Sequence, residues 1–331
     1  MNPNDSKTPI LVFAAVVAIY AILGWLDVRN YAQGGWATAP DNTVTQVLSE
    51  SPAEAGGLQV GDKIVSLGGI AVTDAAGQTQ RGRPEVGEAW EFIVERDGAT
   101  VSFDITFGEL VPERKFLAHA NFLVGFCFII FTLRAFMQKQ TASTQALALA
   151  GLLFSFAFIS GPYFGSPMLR SIDNAVGVLL LWLGVASILN FLLVHLRDGG
   201  NRLLYLPGLV VGLFIAWRIL ATPAATDALN NFTNVLVGIV AVFYLVASLV
   251  TVYRSFAGAT GSEREASGLK LMMIGAVVGL LPPMVGIVAG VVAPQVVLPG
   301  QNFYFLTFIA IPITWSIAVL KEADAPAVPS D

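Results

Sequence analysis

The chain has 331 residues, 55% hydrophobic and only 12% charged. Soluble proteins carry about 25% charged residues, so a uniformly water-exposed globule is excluded and most of the chain belongs in lipid. The net charge of −5 offers no basic face for nucleic acid, and two histidines with one cysteine, Cys127, leave no disulfide and no donor set for zinc.

Charge is unevenly placed. Residues 27–115 hold 14 of the 23 acids and 7 of the 18 bases. That asymmetry marks one polar domain set in a membrane protein. The expected organisation is an anchor helix over 1–26, an α+β domain over 27–115, a seven-helix bundle over 116–320 and a short tail over 321–331. The fold class is a mainly α-helical polytopic membrane protein of about eight spans. No cofactor is expected.

The first apolar run, Pro9–Leu26, is longer than the usual signal-peptide core of about 7–15 residues, and no small-x-small cleavage site follows Trp25-Leu26. It reads as an uncleaved anchor. Beyond it, Val44 to Leu48 reads as a strand. Ser51 is placed to cap a short helix opened by Pro52, whose missing N–H costs nothing at the first helical position. Gly56-Gly57 ends that helix, Gly61-Asp62 turns, and Lys63 to Leu67 forms the next strand. Two strands then alternate: Trp90, Phe92 and Val94 share one face, as do Val101, Phe103, Ile105 and Phe107, with Arg96-Asp97-Gly98 as the turn.

The run Ser51-Pro52-Ala53 followed by Gly57-Leu58 and Gly61-Asp62-x-Ile64 resembles the signature of PDZ domains. The resemblance covers about Tyr31 to Gly108. It implies capture of a partner's C-terminal carboxylate in a glycine-bearing loop, with the peptide added to a sheet edge. By position that loop is Gln33-Gly34-Gly35-Trp36, although the segment departs from the usual apolar-Gly-apolar form. The glycine pair reads either as an anion-binding backbone nest or as a hinge after the first span. Pro84 and the run Arg81-Gly82-Arg83 interrupt the place of a long groove helix, so the groove is expected to be shallow.

A membrane helix needs about 20 mostly apolar residues. The further spans are Phe116–Leu133, Ala142–Phe164, Ala175–Leu196, Leu203–Leu220, Val235–Val252, Leu271–Ala293 and Phe303–Leu320. Lys7, Arg134, Lys139, Arg197, Arg202, Arg254, Arg264, Lys270 and Lys321 all fall on one side, and the opposite short loops carry only Arg170. The positive-inside rule then puts both termini in the cytoplasm of a bacterial inner membrane and the polar domain outside.

Polar residues within the spans are few. His119, Asn121 and Arg218 all fall near the outer face and form a candidate polar cluster. Arg218 reads either as snorkelling to the interface or as an anion site partnered by Asp173 or Asp227. In the seventh span, Gly275-x-x-x-Gly279 and Gly286-x-x-x-Gly290 flank Pro282-Pro283. This pattern points to close helix packing and a bend.

No H-E-x-x-H, G-x-S-G or P-loop occurs, so the chain is not expected to be an enzyme. The order of anchor, PDZ-like domain and bundle resembles the input region of ComP-like sensor histidine kinases, without the kinase. That resemblance implies a sensor receiving a peptide or protein end, with a cytoplasmic partner such as a kinase and the bilayer as surroundings. The alternatives are a transporter or lipid-handling protein, and an adaptor of envelope proteolysis.

Overall fold

The computed structural model describes residues 3–39, 41–74, 77–78, 81–197, 199–221, 227–292 and 298–322. Helix α1, Pro3–Asp27, is about 38 Å long at 1.5 Å per residue, enough to cross a hydrocarbon core of about 30 Å. A single 3-10 turn then leads into the polar domain.

That domain contains β1 (Ala32–Gln33), β2 (Trp36–Thr38), β3 (Val44–Val47), α2 (Pro52–Ala55), β4 (Lys63–Leu67), β5 (Ile70–Ala71), β6 (Ala89–Arg96), β7 (Ala99–Thr106) and β8 (Gly108–Glu109). The main sheet has the order β5-β4-β6-β7, with two small pairs, β2-β3 and β1-β8. The β6–β7 register sets Trp90 against Ile105, Phe92 against Phe103 and Val94 against Val101. The alternation read from the sequence therefore lines one face, and Phe92, Val94 and Ile105 are fully buried with Ala53, Leu58 and Ile64. Asp97 and Gly98 both have positive φ, the two-residue turn whose twist matches the strands it joins.

Seven described helical segments are long and apolar enough to cross a membrane. Besides α1 they are α3 (Pro112–Gln138), α5 (Pro167–Arg197), α6 (Tyr205–Ala221), α7 (from Asp227 to Gly258), α9 (Leu269–Val292) and a final composite. In that composite, the 3-10 stretch Gln301–Ile309 continues into α10 (Ala310–Glu322). A short α8, Gly261–Ala266, precedes α9. Outward-facing side chains such as Val16, Ile130, Val210 and Ile239 are more than half exposed. Such a band suits hydrocarbon and not water.

The expected helix Ala142–Phe164 is shorter than its apolar run. Helix α4 covers Ala142–Phe154, one 3-10 turn takes Ser155–Ala157, and the chain then extends through Gly161-Pro162. Glycine and proline do not sustain a helix here. The segment still joins the two ends of the bundle. At one end Lys139 Nζ donates to the Leu320 carbonyl at 3.2 Å. At the other, the backbone of Gly24 lies so close to the Ser160 carbonyl that a Cβ at residue 24 would sit 1.9 Å from its oxygen.

Helix α9 runs unbroken through Pro282 and Pro283. Pro283 has no N–H for the carbonyl four residues back, that of Gly279. The Thr307 hydroxyl lies 3.4 Å from that carbonyl, while its shorter hydrogen bond, at 2.7 Å, goes to the Tyr304 carbonyl of its own segment. Gly275 and Gly279 admit the 3-10/α10 composite: a Cβ would meet Thr314 Oγ1 at 2.0 Å or the Ile311 side chain at 2.5 Å. Gly286 is in looser contact with Tyr304, and Gly290 faces open space. Trp315 is buried beside this seam, its indole donating to the Met272 carbonyl at 3.0 Å.

Candidate functional site

The PDZ-like signature has a physical role at each position. Ser51 Oγ accepts the Glu54 N–H at 3.2 Å, Pro52 occupies the first helical position and Ala53 is fully buried. Leu58 and Ile64 enter the core. Gly61 has φ +97, a value open to glycine and costly for other residues. Asp62 is 1% exposed and accepts from the Gln59 N–H at 2.8 Å and from Arg96 Nε at 2.7 Å. The Arg96 hydrogen bonds hold the Asp62 carboxyl below the usual carboxylate range.

Gln33 ends β1, Trp36 opens β2, and Gly34-Gly35 joins them. The Gln33 side chain is buried and turned from solvent, so only backbone is presented here. The carbonyls of Gly34 and Gly35 accept from the N–H groups of Ala53 and Leu48, both at 2.8 Å. Among the described residues, no acceptor takes the N–H of Gly34 or Gly35. The Trp36 ring folds back over Gly34 while packing edge-on against Phe92. One edge of β2 pairs with β3, and no described strand takes the other. The loop thus has a glycine pair whose N–H groups no described acceptor takes, beside a short open edge and under part of an indole.

The two arginines of Arg81-Gly82-Arg83 point in different directions. Arg81 turns inward, stacks over Trp90 at 3.7 Å and donates to the Leu67 carbonyl. Arg83 turns the other way and reaches the helices. Its Nη2 lies 2.6 Å from Asp27 Oδ2, its guanidinium sits over Tyr31 and Tyr163, and its backbone N–H donates to the Tyr163 hydroxyl at 3.1 Å. The Tyr163 N–H donates to the same Asp27 oxygen at 3.2 Å. Gly82, with φ +83, lies against that hydroxyl, and a Cβ there would fall 1.9 Å from it. This junction encloses a cavity of about 240 Å³ whose polar lining includes Asp27, Arg83, Arg170 and Asp173.

The sequence reading missed this cluster. A signal was present: Asp27 ends α1, where the helix dipole disfavours a negative charge, so a cation had to come from elsewhere.

His119 and Arg218 are held by different neighbours. His119 Nδ1 accepts from the Trp25 indole of α1 at 3.0 Å. Arg218, on α6, instead donates to Thr233 and Asn230 of α7. Asp173, one residue expected to partner Arg218, takes the Tyr20 hydroxyl of α1 at 3.0 Å. The Asp227 side chain lies outside the described residues. A recess of about 640 Å³ beside His119 is lined by Trp25, Phe116, Phe126 and Leu306 and is overwhelmingly apolar; neither Arg218 nor Asn121 lines it. Matching positions in sequence depth placed these residues at one level, but His119 and Asn121 lie on α3 while Arg218 lies on α6.

The family model for the PDZ domain matches residues 43–81. A probable periplasmic serine endoprotease, DegP-like, of Ectopseudomonas mendocina is 41% identical over 110 residues, covering 31% of this chain and 23% of that protein. The pro-apoptotic serine protease NMA111 of Meyerozyma guilliermondii is 36% identical over 108 residues, 30% of this chain and 11% of that one. The chain spans less than a quarter of the length of these curated relatives, and the similarity lies in the PDZ region rather than a protease domain. These matches lend no support to a sensor-kinase input region. What they establish, together with the apolar helices, is a PDZ domain joined to helices that could span a membrane.

Proposed function

We propose that this chain is a non-catalytic membrane receptor. Its PDZ domain lies outside the cytoplasm, binds a peptide or protein C-terminus, and passes the event through the helices to a cytoplasmic partner such as a kinase. The observation that supports this reading is the contact of Arg83 with Asp27 and Tyr163. It ties the segment beside the PDZ groove to α1 and to the extended chain before α5. A ligand that moves the groove segment pulls on two membrane elements at once. The glycine pair Gly34-Gly35 and the open edge of β2 would take the carboxylate and the extended peptide.

The test is a screen of C-terminal peptides against the full-length protein in nanodiscs, with C-terminally amidated copies alongside. Selection of free-carboxylate peptides, with amidation lowering affinity at least tenfold, is the expected result. Equal binding of amidated copies, or no selected peptide, overturns the peptide reading. A second reading is favoured by the relatives' description as serine proteases: a PDZ domain that recruits clients or a protease in envelope proteolysis. Co-purification of an envelope protease with the tagged chain would favour it over the receptor reading.

A further inference from the structure

We propose that the junction between the PDZ domain and the bundle holds one phospholipid with a primary-ammonium, zwitterionic headgroup. Two adjoining cavities carry the argument, and it stands independently of peptide capture.

The upper cavity, about 240 Å³, is lined by two cations, Arg83 and Arg170, and two carboxylates, Asp27 and Asp173. A lining of balanced charge suits a ligand that carries both signs, not a simple anion. This space is large enough for a small polar group such as phosphoethanolamine. The guanidiniums of Arg83 and Arg170 both lie within 5.2 Å of the Tyr163 ring, which brings two cationic forks to one place for a phosphate. Asp173 takes one hydrogen bond, from Tyr20, and a carboxylate has further lone pairs for an ammonium.

The lower cavity, about 170 Å³, shares Ser160, Asp173 and Asn174 with the upper one. Below those residues its walls turn apolar, with Phe156, Ile159, Val178 and Leu181. Gly177 faces this slot, and a Cβ placed on it would meet no atom within 4 Å. The Tyr20–Asp173 hydrogen bond bridges α1 and α5, and the slot runs beside it. A polar chamber continuous with an apolar slot between two membrane-length helices is the shape of a headgroup and the start of an acyl chain.

The experiment uses the full-length protein, stripped of lipid in detergent. Native mass spectrometry and thermal unfolding would follow titration with phosphatidylethanolamine, phosphatidylcholine and phosphatidylglycerol of matched chains, and with soluble phosphoethanolamine. Phosphatidylethanolamine is expected to bind at least fivefold tighter than the other two lipids, since a trimethylated ammonium donates no hydrogen bond to Asp173. Asp173→Asn should erase that preference. Gly177→Leu should weaken phosphatidylethanolamine at least tenfold without changing lipid-free melting, which keeps the test open if Asp173→Asn misfolds. Equal or tighter binding of phosphatidylglycerol, or unaltered binding in both variants, overturns the proposal. Protection by soluble phosphoethanolamine equal to that by the lipid overturns the lipid assignment in favour of a soluble zwitterion.

Discussion

Arg83 and Asp27 are 56 residues apart in the chain and 2.6 Å apart in space. The pair closes the PDZ domain onto the helix that precedes it. Both side chains are mostly buried, 26% and 13% exposed, so the bond is screened less than a surface ion pair. Removing one partner also leaves the other poorly satisfied. Asp27→Asn should therefore loosen the junction by roughly 1–3 kcal/mol. Hydrogen exchange in nanodiscs should show faster exchange at the Tyr163 and Arg83 amides, with strands β6 and β7 unchanged. Arg83→Lys should restore little, because an ammonium does not stack on Tyr31 and Tyr163 as a planar guanidinium does.

Gly82→Ala should be worse than a surface change for two separable reasons. The positive φ disfavours any side chain, and the new Cβ meets the Tyr163 hydroxyl. Together these should cost at least about 1 kcal/mol. Tyr163→Phe removes the colliding oxygen, so the double variant should recover the steric part alone. Strict additivity in that cycle would show that the two residues do not touch.

The Asp62–Arg96 pair predicts an acid-sensitive PDZ domain. The folded-state value for Asp62 is depressed, so the unfolded chain takes up the proton first. The contribution is complete above the unfolded value of about 3.9 and disappears as pH falls through the lower folded one. At pH 7, Asp62→Asn should cost roughly 2–3 kcal/mol, as expected for lost hydrogen bonds to a charged group. Its stability should also change less between pH 5 and pH 2 than that of the native chain. Exchange protection of the β6–β7 amides measures both, and an acid limb of unchanged slope would remove Asp62 as its source.

Close approach of α9 to the last helical segment rests on Gly275, whose added Cβ would meet Thr314 Oγ1 at 2.0 Å. Gly275→Leu should overpack this seam and cost roughly 1–3 kcal/mol or more, read as a lower melting temperature in detergent. Gly290→Leu, facing open space, should leave it unchanged. Equal losses at both positions would mean that helix propensity, and not packing, sets the effect.

The PDZ domain was legible because its rules are local. A cap, a first-turn proline, positive-φ glycines and period-two alternation each act within a few residues of themselves. Apolar run length found the long helices for the same reason. It overran at Ala142–Phe164 because hydropathy does not register that the helix stops at Phe154 while the apolar chain keeps advancing. The polar contacts were not legible. Asp173 meets Tyr20 across 153 residues, and Arg218 meets Thr233 on the next helix, a choice set by helix rotation and neighbour order. Depth along a span gives neither.

The extended stretch after Ser155–Ala157 has a consequence for how the molecule is made. Non-helical backbone at the bundle's edge tolerates hydrocarbon poorly unless protein covers it. Here the cover is α1 and the turn after it: Tyr20 lies against Gly161, Gly24 against Ser160, and Tyr31, past the turn, within hydrogen-bonding distance of the Ser160 hydroxyl. Helix α1, made before the bundle, is thus a wall that a later segment needs. The PDZ domain and α3 are both synthesised between the wall and the residue 160 that it covers.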